Sequence, residues 1–213
     1  MFVVERRNKI ITMLNAQKSI TVQDAAKTFD VTEETIRRDL NALEKKELLV
    51  RTHGGAVIAD SNKHEISYEN RKSINISGKE KIAKEAAALI SDGDIIMLDA
   101  STSAFCLAKN IKDKKGITVI TNAQNIIFEL SNIEGIELIS SGGRLRRKSM
   151  SYVGRVAENA LSNYHANKFF FSCMGFSMQR GITDSNDQES EMKKNDAALF
   201  AGSLFIVRPD KIR

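Results

Sequence analysis

A segment near the amino end, VTEETIRRDLNAL at residues 31–43, combines hydrogen-bonding side chains with cations. On a helix, at about 100° per residue, four side chains of this region fall within one narrow arc, with Arg37 at its edge. They are Glu34, Arg38, Asn41 and Lys45. A guanidinium and a carboxamide can bond guanine and adenine edges, and cations can reach phosphates. The arc therefore fits a surface that reads double-stranded DNA, although a solvated helix face with local Glu–Arg pairs has the same composition.

Small hydroxyl residues and glycines follow four predicted strands later in the chain, in LDASTSA (98–104), TNA (121–123), SSGGR (140–144) and CMGFS (173–177). Ser101, Thr102 and Ser103 offer hydroxyls and free amides at a helix start, which suits a phosphate. Gly142 and Gly143 permit close backbone approach to a ligand, and Arg144 supplies charge. Together these ends indicate an anion-binding pocket. Neither G-x-x-x-x-G-K-[ST] nor G-x-G-x-x-G occurs, so a nucleoside triphosphate or a dinucleotide is not favoured.

Three predicted helices within the first 45 residues would position the first surface. The first covers roughly residues 4 to 16. The second and third begin after Thr21 and Thr32, whose hydroxyls can cap free backbone N–H groups. Glu33 and Glu34 lie in the first turn of the third helix, where the helix dipole favours negative charge. The residues expected to face inward are Val3, Ile10, Ile11 and Leu14, then Val22, Ala25, Ala26 and Phe29, then Ile36, Leu40 and Leu43.

The segment LLVRTHGGAV, residues 48–57, follows the third helix. It alternates in hydropathy and then turns at Gly54-Gly55, which predicts a two-stranded wing. Arg51, Thr52 and His53 are expected at its tip, placed to touch the DNA backbone or the minor groove. Three helices followed by a wing is the winged helix-turn-helix order, and this context favours DNA reading over a solvated face.

Two blocks of this region, ERRNKIITML and VTEETIRRDLNALEKKELLVRTHGGAV, resemble the amino-terminal signature of the DeoR family of bacterial transcriptional repressors nearly position for position. The T-I-R-R-D-L and R-T-H-G-G-A segments stand at the expected separation. The resemblance implies DNA recognition by the helix that carries Thr35, Arg37, Arg38 and Asn41. The complete predicted DNA-binding set is Thr21, Thr32, Glu34, Thr35, Arg37, Arg38, Asn41, Lys45, Arg51, Thr52, His53 and Gly54.

From residue 79 the hydrophobic pattern alternates between helix and strand, with predicted strands at DIIML, ITVIT, IELIS, KFFFSC and SLFIV. Such alternation predicts a parallel sheet with helices on both faces, in which ligands bind beyond the carboxyl ends of the strands. The expected fold class is therefore α/β. Residues 1–58 are expected to form a winged helix-turn-helix domain, 59–78 a mostly helical connector, and 79–213 an α/β ligand-sensing domain.

The strand ends also resemble the DeoR family, whose effector domain is similar in fold to ribose-5-phosphate isomerase and binds phosphorylated sugars or related metabolites. GITDSN at 181–186 and VRPDK at 207–211 match further segments of the family. The effector-binding residues that the resemblance implies, together with those named above, are Asp99, Ser101, Thr102, Ser103, Thr121, Asn122, Gly142, Gly143, Arg144, Gly154, Gly175 and Lys211.

The chain departs from the family pattern at two places. DASTS, at 99–103, has serine where glycine is common, which is expected to reshape the phosphate site. Family members usually continue beyond the position of Arg213, so the effector domain is expected to lack a final segment. That loss would leave a sheet edge or part of the pocket unfinished.

Composition excludes several other classes of protein. No stretch approaches the roughly 18 apolar residues that span a bilayer, and the amino terminus becomes charged too early for a secretory signal, so a cytoplasmic protein is expected. Cys106 and Cys173 are isolated in apolar stretches and are expected to be buried, reduced thiols. The three histidines have no metal-ligand spacing, so neither a metal nor a cofactor is predicted. The net charge is +5, but residues 1–60 hold ten Lys and Arg against nine Asp and Glu, so DNA binding must depend on where charges point.

These observations favour a DNA-binding transcriptional repressor of sugar metabolism that a phosphorylated sugar releases from its operator. A single recognition helix contacts few base pairs, so a homodimer or homotetramer on repeated half-sites is expected. One alternative is a sugar-phosphate isomerase-like enzyme, with Asp99, Asp184, Glu189 and Lys211 as acid–base candidates. Another is an activator or architectural protein with the same DNA-binding head.

Overall fold

The computed structural model describes residues 1–58, 65–179, 181–184, 186–199 and 203–205. The chain divides into two compact units, Met1–Asn75 and Ile76–Arg213, each with its own hydrophobic core. The boundary falls inside the predicted connector. Within the described part of the chain, every helix is too short or too polar to cross a lipid bilayer.

The first unit combines helices with a small antiparallel sheet. Its elements are α1 (Val3–Gln17), β1 (Ser19–Thr21), α2 (Val22–Phe29), α3 (Glu33–Glu44), β2 (Leu49–Thr52), β3 (Gly55–Ile58) and α4 (Tyr68–Lys72). The two predicted threonine caps are confirmed. The Thr21 hydroxyl accepts a hydrogen bond from the Asp24 N–H at 3.1 Å, and the Thr32 hydroxyl accepts one from the Thr35 N–H at 3.3 Å.

The core of this unit lies where the three long helices meet the sheet. The predicted inward stripe of α3 is confirmed, since Ile36, Leu40 and Leu43 are all buried. Ile10 and Leu14 of α1 are buried in the same cluster. Val3 is exposed, contrary to the prediction, because the first turn of α1 lies outside the core.

The wing has three strands in the order β1-β3-β2, whereas the sequence predicted two. The additional strand is β1, a three-residue segment that is too short to show alternation, and it pairs antiparallel with β3. Gly54 has φ +91°, which favours glycine in the turn. A Cβ on Gly55 would lie 2.1 Å from the Ile20 carbonyl oxygen, so only glycine lets β3 approach β1 this closely.

The predicted connector is divided between the two units. Helix α4 is held to the first unit, where its Tyr68 is buried and the Asn70 side-chain amide donates to the Lys46 carbonyl at 2.6 Å. Ile66 and Ile74, on either side of α4, pack against the core of the first unit. The second unit then opens with α5, at Ile76.

The second unit is built around a five-stranded parallel sheet, as predicted. Its elements are α5 (Ile76–Ala88), β4 (Ile95–Leu98), α6 (Thr102–Lys109), β5 (Ile117–Thr121), α7 (Gln124–Leu130), β6 (Ile136–Ser140), β7 (Arg144–Arg146), β8 (Ser151–Val153), α8 (Arg155–Ser162), β9 (Lys168–Phe171), β10 (Gly175–Ser177), β11 (Gly181–Thr183), α9 (Asp187–Leu199) and β12 (Ser203–Phe205). The parallel sheet has the order β12-β9-β4-β5-β6, so the direction of winding reverses between β4 and β9. In open α/β sheets such a reversal leaves a crevice at the carboxyl ends of the two strands.

Two antiparallel hairpins, β7–β8 and β10–β11, were not predicted. Each of their strands has three residues, which is too few for alternation to be recognised. The core beneath the sheet includes Phe169 and Phe171, whose rings stack with centroids 5.0 Å apart. Both cysteines are free thiols; Cys173 is buried as predicted, whereas Cys106 is only half-buried.

Candidate functional site

Helix α3 presents its polar arc to solvent. Glu34, Arg37, Arg38, Asn41 and Lys45 are all exposed, with 77% of the Arg38 side chain accessible. Thr35, in the first turn, is half-buried, and its hydroxyl lies 2.9 Å from that of Thr32. The amphipathic helix predicted from the sequence is therefore present, with its aliphatic side in the core and its charged side outward.

Both arginines of this face are paired within the helix. Arg37 donates to Glu33 at 2.6 Å and Arg38 donates to Glu34 at 3.2 Å, each one helical turn away. Exposed pairs at this spacing contribute only about 0.3–0.5 kcal/mol. The guanidinium groups can therefore exchange these carboxylates for DNA at little cost.

A buried carboxylate fixes α3 to α1, and sequence reasoning missed it. Asp39 is 2% exposed and accepts hydrogen bonds from Arg6 Nε at 2.6 Å and from Arg7 Nε at 2.8 Å. Its position between Ile36 and Leu40 places it on the buried stripe of the helix. The available signal was an acidic residue at an inward position, which requires a buried partner.

The wing arginine is not at the tip, where the sequence placed it. Arg51 lies within β2, and its side chain turns back onto α3 because backbone and side-chain acceptors there satisfy its guanidinium. Its Nη1 donates to the Arg37 carbonyl at 3.5 Å and to the Asn41 side-chain oxygen, and its Nε donates to the Gly55 carbonyl at 3.2 Å. Thr52 ends β2, and His53 and Gly54 form the turn; all three are exposed.

In the second unit, Asp99 follows β4 and accepts hydrogen bonds from both sides of the crevice between β4 and β9. One carboxylate oxygen accepts the Ser101 N–H at 3.1 Å, and the other accepts the Ser172 N–H at 3.0 Å. Ser172 follows β9, so this side chain joins the ends of the two strands that flank the crevice. Both oxygens of Asp99 are thus engaged by the protein itself.

A lysine that the sequence analysis did not select lies at the same place. Lys193 of α9, 15% exposed, contacts Asp99 at 3.3 Å and Asp184 at 2.5 Å and donates to the Ser172 carbonyl at 2.7 Å. Burial alone would lower the pKa of Lys193, but the carboxylates of Asp99 and Asp184 and the charge of Glu189 raise it above its usual value. The ammonium group is therefore charged, and it balances the acidic side chains at the crevice. No sequence signal separated it from the neighbouring Lys194.

The three hydroxyl residues after β4 have different environments. Ser101 is the N-cap of α6, and its hydroxyl accepts the Ala104 N–H at 3.0 Å. Thr102 and Ser103 occupy the first turn of α6 and are more than nine-tenths buried. Their hydroxyls make no hydrogen bond to the described part of the chain. Capping explains Ser101, while Thr102 and Ser103 retain unused bonding capacity.

The ends of β5 and β6 are joined by hydrogen bonds. The Thr121 hydroxyl donates to the Leu98 carbonyl at 2.7 Å and accepts the Ala123 N–H at 3.0 Å. The Asn122 amide donates to the Tyr152 carbonyl at 3.1 Å, which ties hairpin β7–β8 to β5. The Ser141 N–H donates to the Thr121 carbonyl at 3.0 Å. The predicted residues Thr121 and Asn122 are therefore at the carboxyl edge, and the Thr121 hydroxyl both donates to and accepts from the backbone.

Two amide side chains at the start of α7 have buried atoms without a partner in the described residues. They are the Gln124 Oε1 atom and the Asn125 Nδ2 atom. A buried donor or acceptor left unpaired costs about 1–3 kcal/mol, which makes these atoms candidates to bind a ligand group. Sequence analysis missed both, because they follow Thr121-Asn122 inside what reads as an ordinary helix.

The glycines of the predicted site serve different purposes. Gly142 has φ +60° and open space around its Cα, whereas a Cβ on Gly143 would lie 3.3 Å from the Ala157 backbone N. The close neighbours of Gly143 thus belong to α8 and to β8. Gly154 is the N-cap of α8 and has φ +91°. Gly175 begins β10, and its carbonyl accepts the Thr183 hydroxyl at 3.0 Å.

Hairpin β7–β8 and the first turns of α9 form one polar network. Arg144 donates to the Gln188 side chain at 3.2 Å, and Arg146 lies 3.5 Å from the Glu189 carboxylate. The buried Glu189 also accepts the Ser151 hydroxyl at 3.1 Å. Arg144 is exposed. The last predicted residue, Lys211, lies outside the described residues.

No group of three or more His, Cys, Asp or Glu side chains suited to a metal ion occurs in the described residues. His53 and His165 are exposed, and His64 lies outside the described residues.

Comparison with known families gives two matches, which together span most of the chain. The family described as "DeoR-like helix-turn-helix domain" matches residues 6–62, and the family described as "DeoR C terminal sensor domain" matches residues 74–203. With the parallel sheet, these matches confirm the fold class predicted from the sequence.

Several curated proteins are similar over almost the whole chain. The HTH-type transcriptional regulator YulB of Bacillus subtilis is 47% identical over 91% of this chain and 75% of its own length. The putative aga operon transcriptional repressor of Escherichia coli O157:H7 is 36% identical over 97% of this chain and 78% of its own length. The L-fucose operon activator of Escherichia coli K12 is 34% identical over 97% of this chain and 85% of its own length.

Among solved structures, ribose 5-phosphate isomerase A from Methanocaldococcus jannaschii aligns with 65% of this chain and 55% of its own, at 17% identity and a TM-score of 0.47. The full-length sorbitol operon regulator SorC from Klebsiella pneumoniae aligns with 90% of this chain and 74% of its own, at 10% identity and a TM-score of 0.34.

Proposed function

The chain belongs to the DeoR family of DNA-binding transcriptional regulators, and we propose that it represses an operon of sugar metabolism and leaves the operator when it binds a phosphorylated sugar. The name of one relative supports the sugar assignment, since it refers to the L-fucose operon. That relative is named as an activator, whereas the aga operon relative is named as a repressor. A reporter assay must therefore decide the sign of regulation.

The observation that carries the proposal for DNA is the outward face of α3. Its exposed guanidinium and carboxamide groups project from a helix whose opposite side is fixed in the core and whose Asp39 is held by α1. A helix anchored in this way can enter the major groove without rearranging. The proposed contacts are Glu34, Thr35, Arg37, Arg38, Asn41 and Lys45, with Thr52, His53 and Gly54 from the wing, and Thr21, Thr32 and Arg51 as supporting positions.

The proposal for the effector is supported by the carboxyl edge of the sheet. The hydroxyls of the buried residues Thr102 and Ser103, and the buried amide atoms of Gln124 and Asn125, have bonding capacity that the described part of the chain does not use. A phosphorylated sugar supplies many acceptors and hydroxyl donors, and it matches such a mixed set better than an apolar ligand does. Arg144, Gly142 and Gly154 are proposed to complete the site, together with Lys211, which is outside the described residues.

Binding and release can be tested with the full chain. Operator sequences would be selected from a randomised duplex library, and the complex would then be titrated with a panel of phosphosugars. At least one compound should lower operator affinity at constant ionic strength, whereas inorganic phosphate at the same concentration should not. If no phosphosugar changes the affinity, the effector assignment is wrong.

We further propose that the second unit has no isomerase activity. An isomerase needs a free carboxylate beside the substrate carbon. Asp99 has both oxygens bound by backbone amides, Asp184 contacts Lys193, and Glu189 accepts the Ser151 hydroxyl. Incubation with ribose 5-phosphate and assay for ketose should therefore give the uncatalysed rate, and turnover abolished by Asp99→Asn would contradict the proposal.

Assembly follows from the energetics of recognition. One recognition helix and one wing contact too few base pairs for a specific operator, so we propose that a homodimer or homotetramer binds repeated half-sites. Sedimentation with and without a selected duplex tests this, and a monomer bound to a single half-site at full affinity would contradict it.

A further inference from the structure

We propose that Arg51 determines which base Asn41 reads, by fixing the orientation of its side-chain amide. This inference rests on the proposed DNA-reading face of α3 and adds a specificity-determining residue that does not itself contact a base.

Arg51 joins the wing to the recognition helix through several acceptors. Its backbone N–H donates to the Glu44 carboxylate at 3.0 Å, and its Nε donates to the Gly55 carbonyl at 3.2 Å. Its Nη1 donates to the Arg37 carbonyl at 3.5 Å and to the Asn41 Oδ1 atom. The guanidinium is planar and rigid, so three acceptors on two elements leave it a single placement.

This placement dictates how the Asn41 amide is turned. A guanidinium donates hydrogen bonds and accepts none, so the oxygen of Asn41 must face Arg51 and the NH₂ group must face away. Asn41 is exposed, and its Nδ2 has no hydrogen bond to the described part of the chain. The recognition helix therefore presents this amide to a base in one of its two possible orientations.

The orientation has consequences for base selection. An unconstrained asparagine can rotate its amide by half a turn and present either oxygen or nitrogen to a given base edge. Adenine, guanine, thymine and cytosine differ in the order of donors and acceptors across the major groove, so a fixed amide discriminates among them and a rotating one does so less. Fixing also removes rotational freedom before DNA binds, which lowers the entropic cost of the contact.

The other arginines of this face are not placed to act in the same way. Arg37 and Arg38 have their guanidinium groups on Glu33 and Glu34, one turn towards the amino end of α3. Neither side chain contacts the Asn41 amide among the interactions of the described residues. Arg38 therefore provides a matched control on the same surface.

The test is a double-mutant cycle on the whole 213-residue chain, read out by binding-site selection from a randomised duplex library. Asn41→Ala should remove the base preference at one position of the selected site. Arg51→Ala should reduce the preference at that same position by about tenfold while leaving the other positions unchanged. In the Asn41→Ala background, Arg51→Ala should have no further effect on base preference. Arg38→Ala should instead change a different position, and its effect should add to that of Asn41→Ala.

Arg51→Lys keeps the positive charge and the aliphatic stem but cannot reproduce the guanidinium fork. It should lose the selectivity and retain the non-specific affinity, and melting temperatures and far-ultraviolet circular dichroism would establish that each variant is folded. If Arg51→Lys retains full selectivity, the orientation does not depend on the fork and the inference is overturned.

Two further outcomes would also overturn the inference. A uniform loss of affinity across the library, with a shallower salt dependence, would mean that Arg51 leaves Asn41 and binds a phosphate. Additive effects of Arg51→Ala and Asn41→Ala on base preference would mean that the two act separately. If Asn41→Ala alone changes no base preference, the proposed reading face itself is wrong, which distinguishes failure of the proposed function from failure of this inference.

Discussion

At the scale of single residues, the two arginines that end TIRR are expected to act differently on DNA. Arg38 lies in the middle of the exposed arc, whereas Arg37 lies at its edge. Arg38→Ala should lower specific affinity by about 1–3 kcal/mol and relax one base preference. Arg37→Ala should weaken all sequences equally and reduce the salt dependence by about one phosphate contact.

Electrophoretic mobility shifts over a salt series would measure both effects, with Lys84→Ala, an exposed lysine of α5, as the control. A uniform loss for Arg38→Ala would reassign that side chain to the DNA backbone.

Lys193 is the residue on which the charge balance of the crevice depends. Lys193→Met should destabilise the second unit by about 3–5 kcal/mol, because Asp99 and Asp184 would remain buried without a cation. Since the pKa of Lys193 is raised, its contribution is complete below the pKa of the unfolded chain, and it is lost only as pH rises through the higher folded value. Urea denaturation should therefore show the same loss at pH 6 and at pH 8.

The double variant Lys193→Met with Asp184→Asn should recover part of that stability, since one unpaired carboxylate is removed. Lys84→Met, at an exposed position, should change the free energy of unfolding by less than about 0.5 kcal/mol. An equal loss for both lysines would show that burial of Lys193 has no special effect.

At the scale of elements, the placement of α3 depends on Asp39. Asp39→Asn should cost about 3–5 kcal/mol in stability, because the buried Arg6 loses its carboxylate. DNA affinity should fall as well, since α3 is then less firmly attached to α1. Chemical denaturation and DNA titration of the same preparation would measure the two losses. Glu34→Gln, which breaks an exposed pair on the same helix, should cost less than about 1 kcal/mol of stability.

The amino ends of β4 and β9 are joined by an acidic residue whose effect depends on pH. Asp94 accepts hydrogen bonds from Lys168, from the Asn167 amide at 3.0 Å and from the Ser91 N–H at 2.7 Å. Burial alone would raise the pKa of Asp94, but these bonds and the charge of Lys168 hold it below its usual value. A lowered folded pKa stabilises the protein above the unfolded value, and this stabilisation is lost as pH falls through the folded value.

Asp94→Asn should therefore lower stability at pH 7 by about 1–3 kcal/mol and make the stability of the second unit less dependent on pH below about 4. Thermal unfolding monitored from pH 3 to pH 7 would test this, with the exposed Glu134→Gln as control. An unchanged slope in the acid range would exclude Asp94 as its source.

The long helices could be predicted from their amphipathic period, and the five parallel strands from the continuous apolar runs that a sheet buried on both faces requires. The three-residue strands of the wing and hairpins could not, and neither could the bonds between them. Asp39 and Lys193 could not be assigned for a related reason. Their partners Arg6 and Asp99 lie far away in sequence, so no local pattern connects them. Exposed residues of α3 were easier to assign, since helical geometry alone determines their direction.

At the scale of the whole molecule, the proposed effector binding and DNA binding must be linked by reciprocity. If a phosphosugar lowers the affinity for the operator by a given factor, the operator must lower the affinity for the phosphosugar by the same factor. Calorimetric titration of the sugar into free protein and into protein saturated with a selected duplex should give dissociation constants that differ by the factor seen in the DNA titration. Unequal factors would mean that the sugar also binds outside the linked site.

Gly55 has a consequence beyond the turn to which it belongs. The Ile20 carbonyl occupies the space where a side chain at position 55 would begin. Strands β2 and β3 of the wing, strand β1 and the N-cap of α2 are therefore expected to move together. A small substitution at Gly55 cannot change the direction of the wing without separating β3 from β1. A change of operator specificity should therefore come from substitutions of the exposed side chains on α3 and the wing.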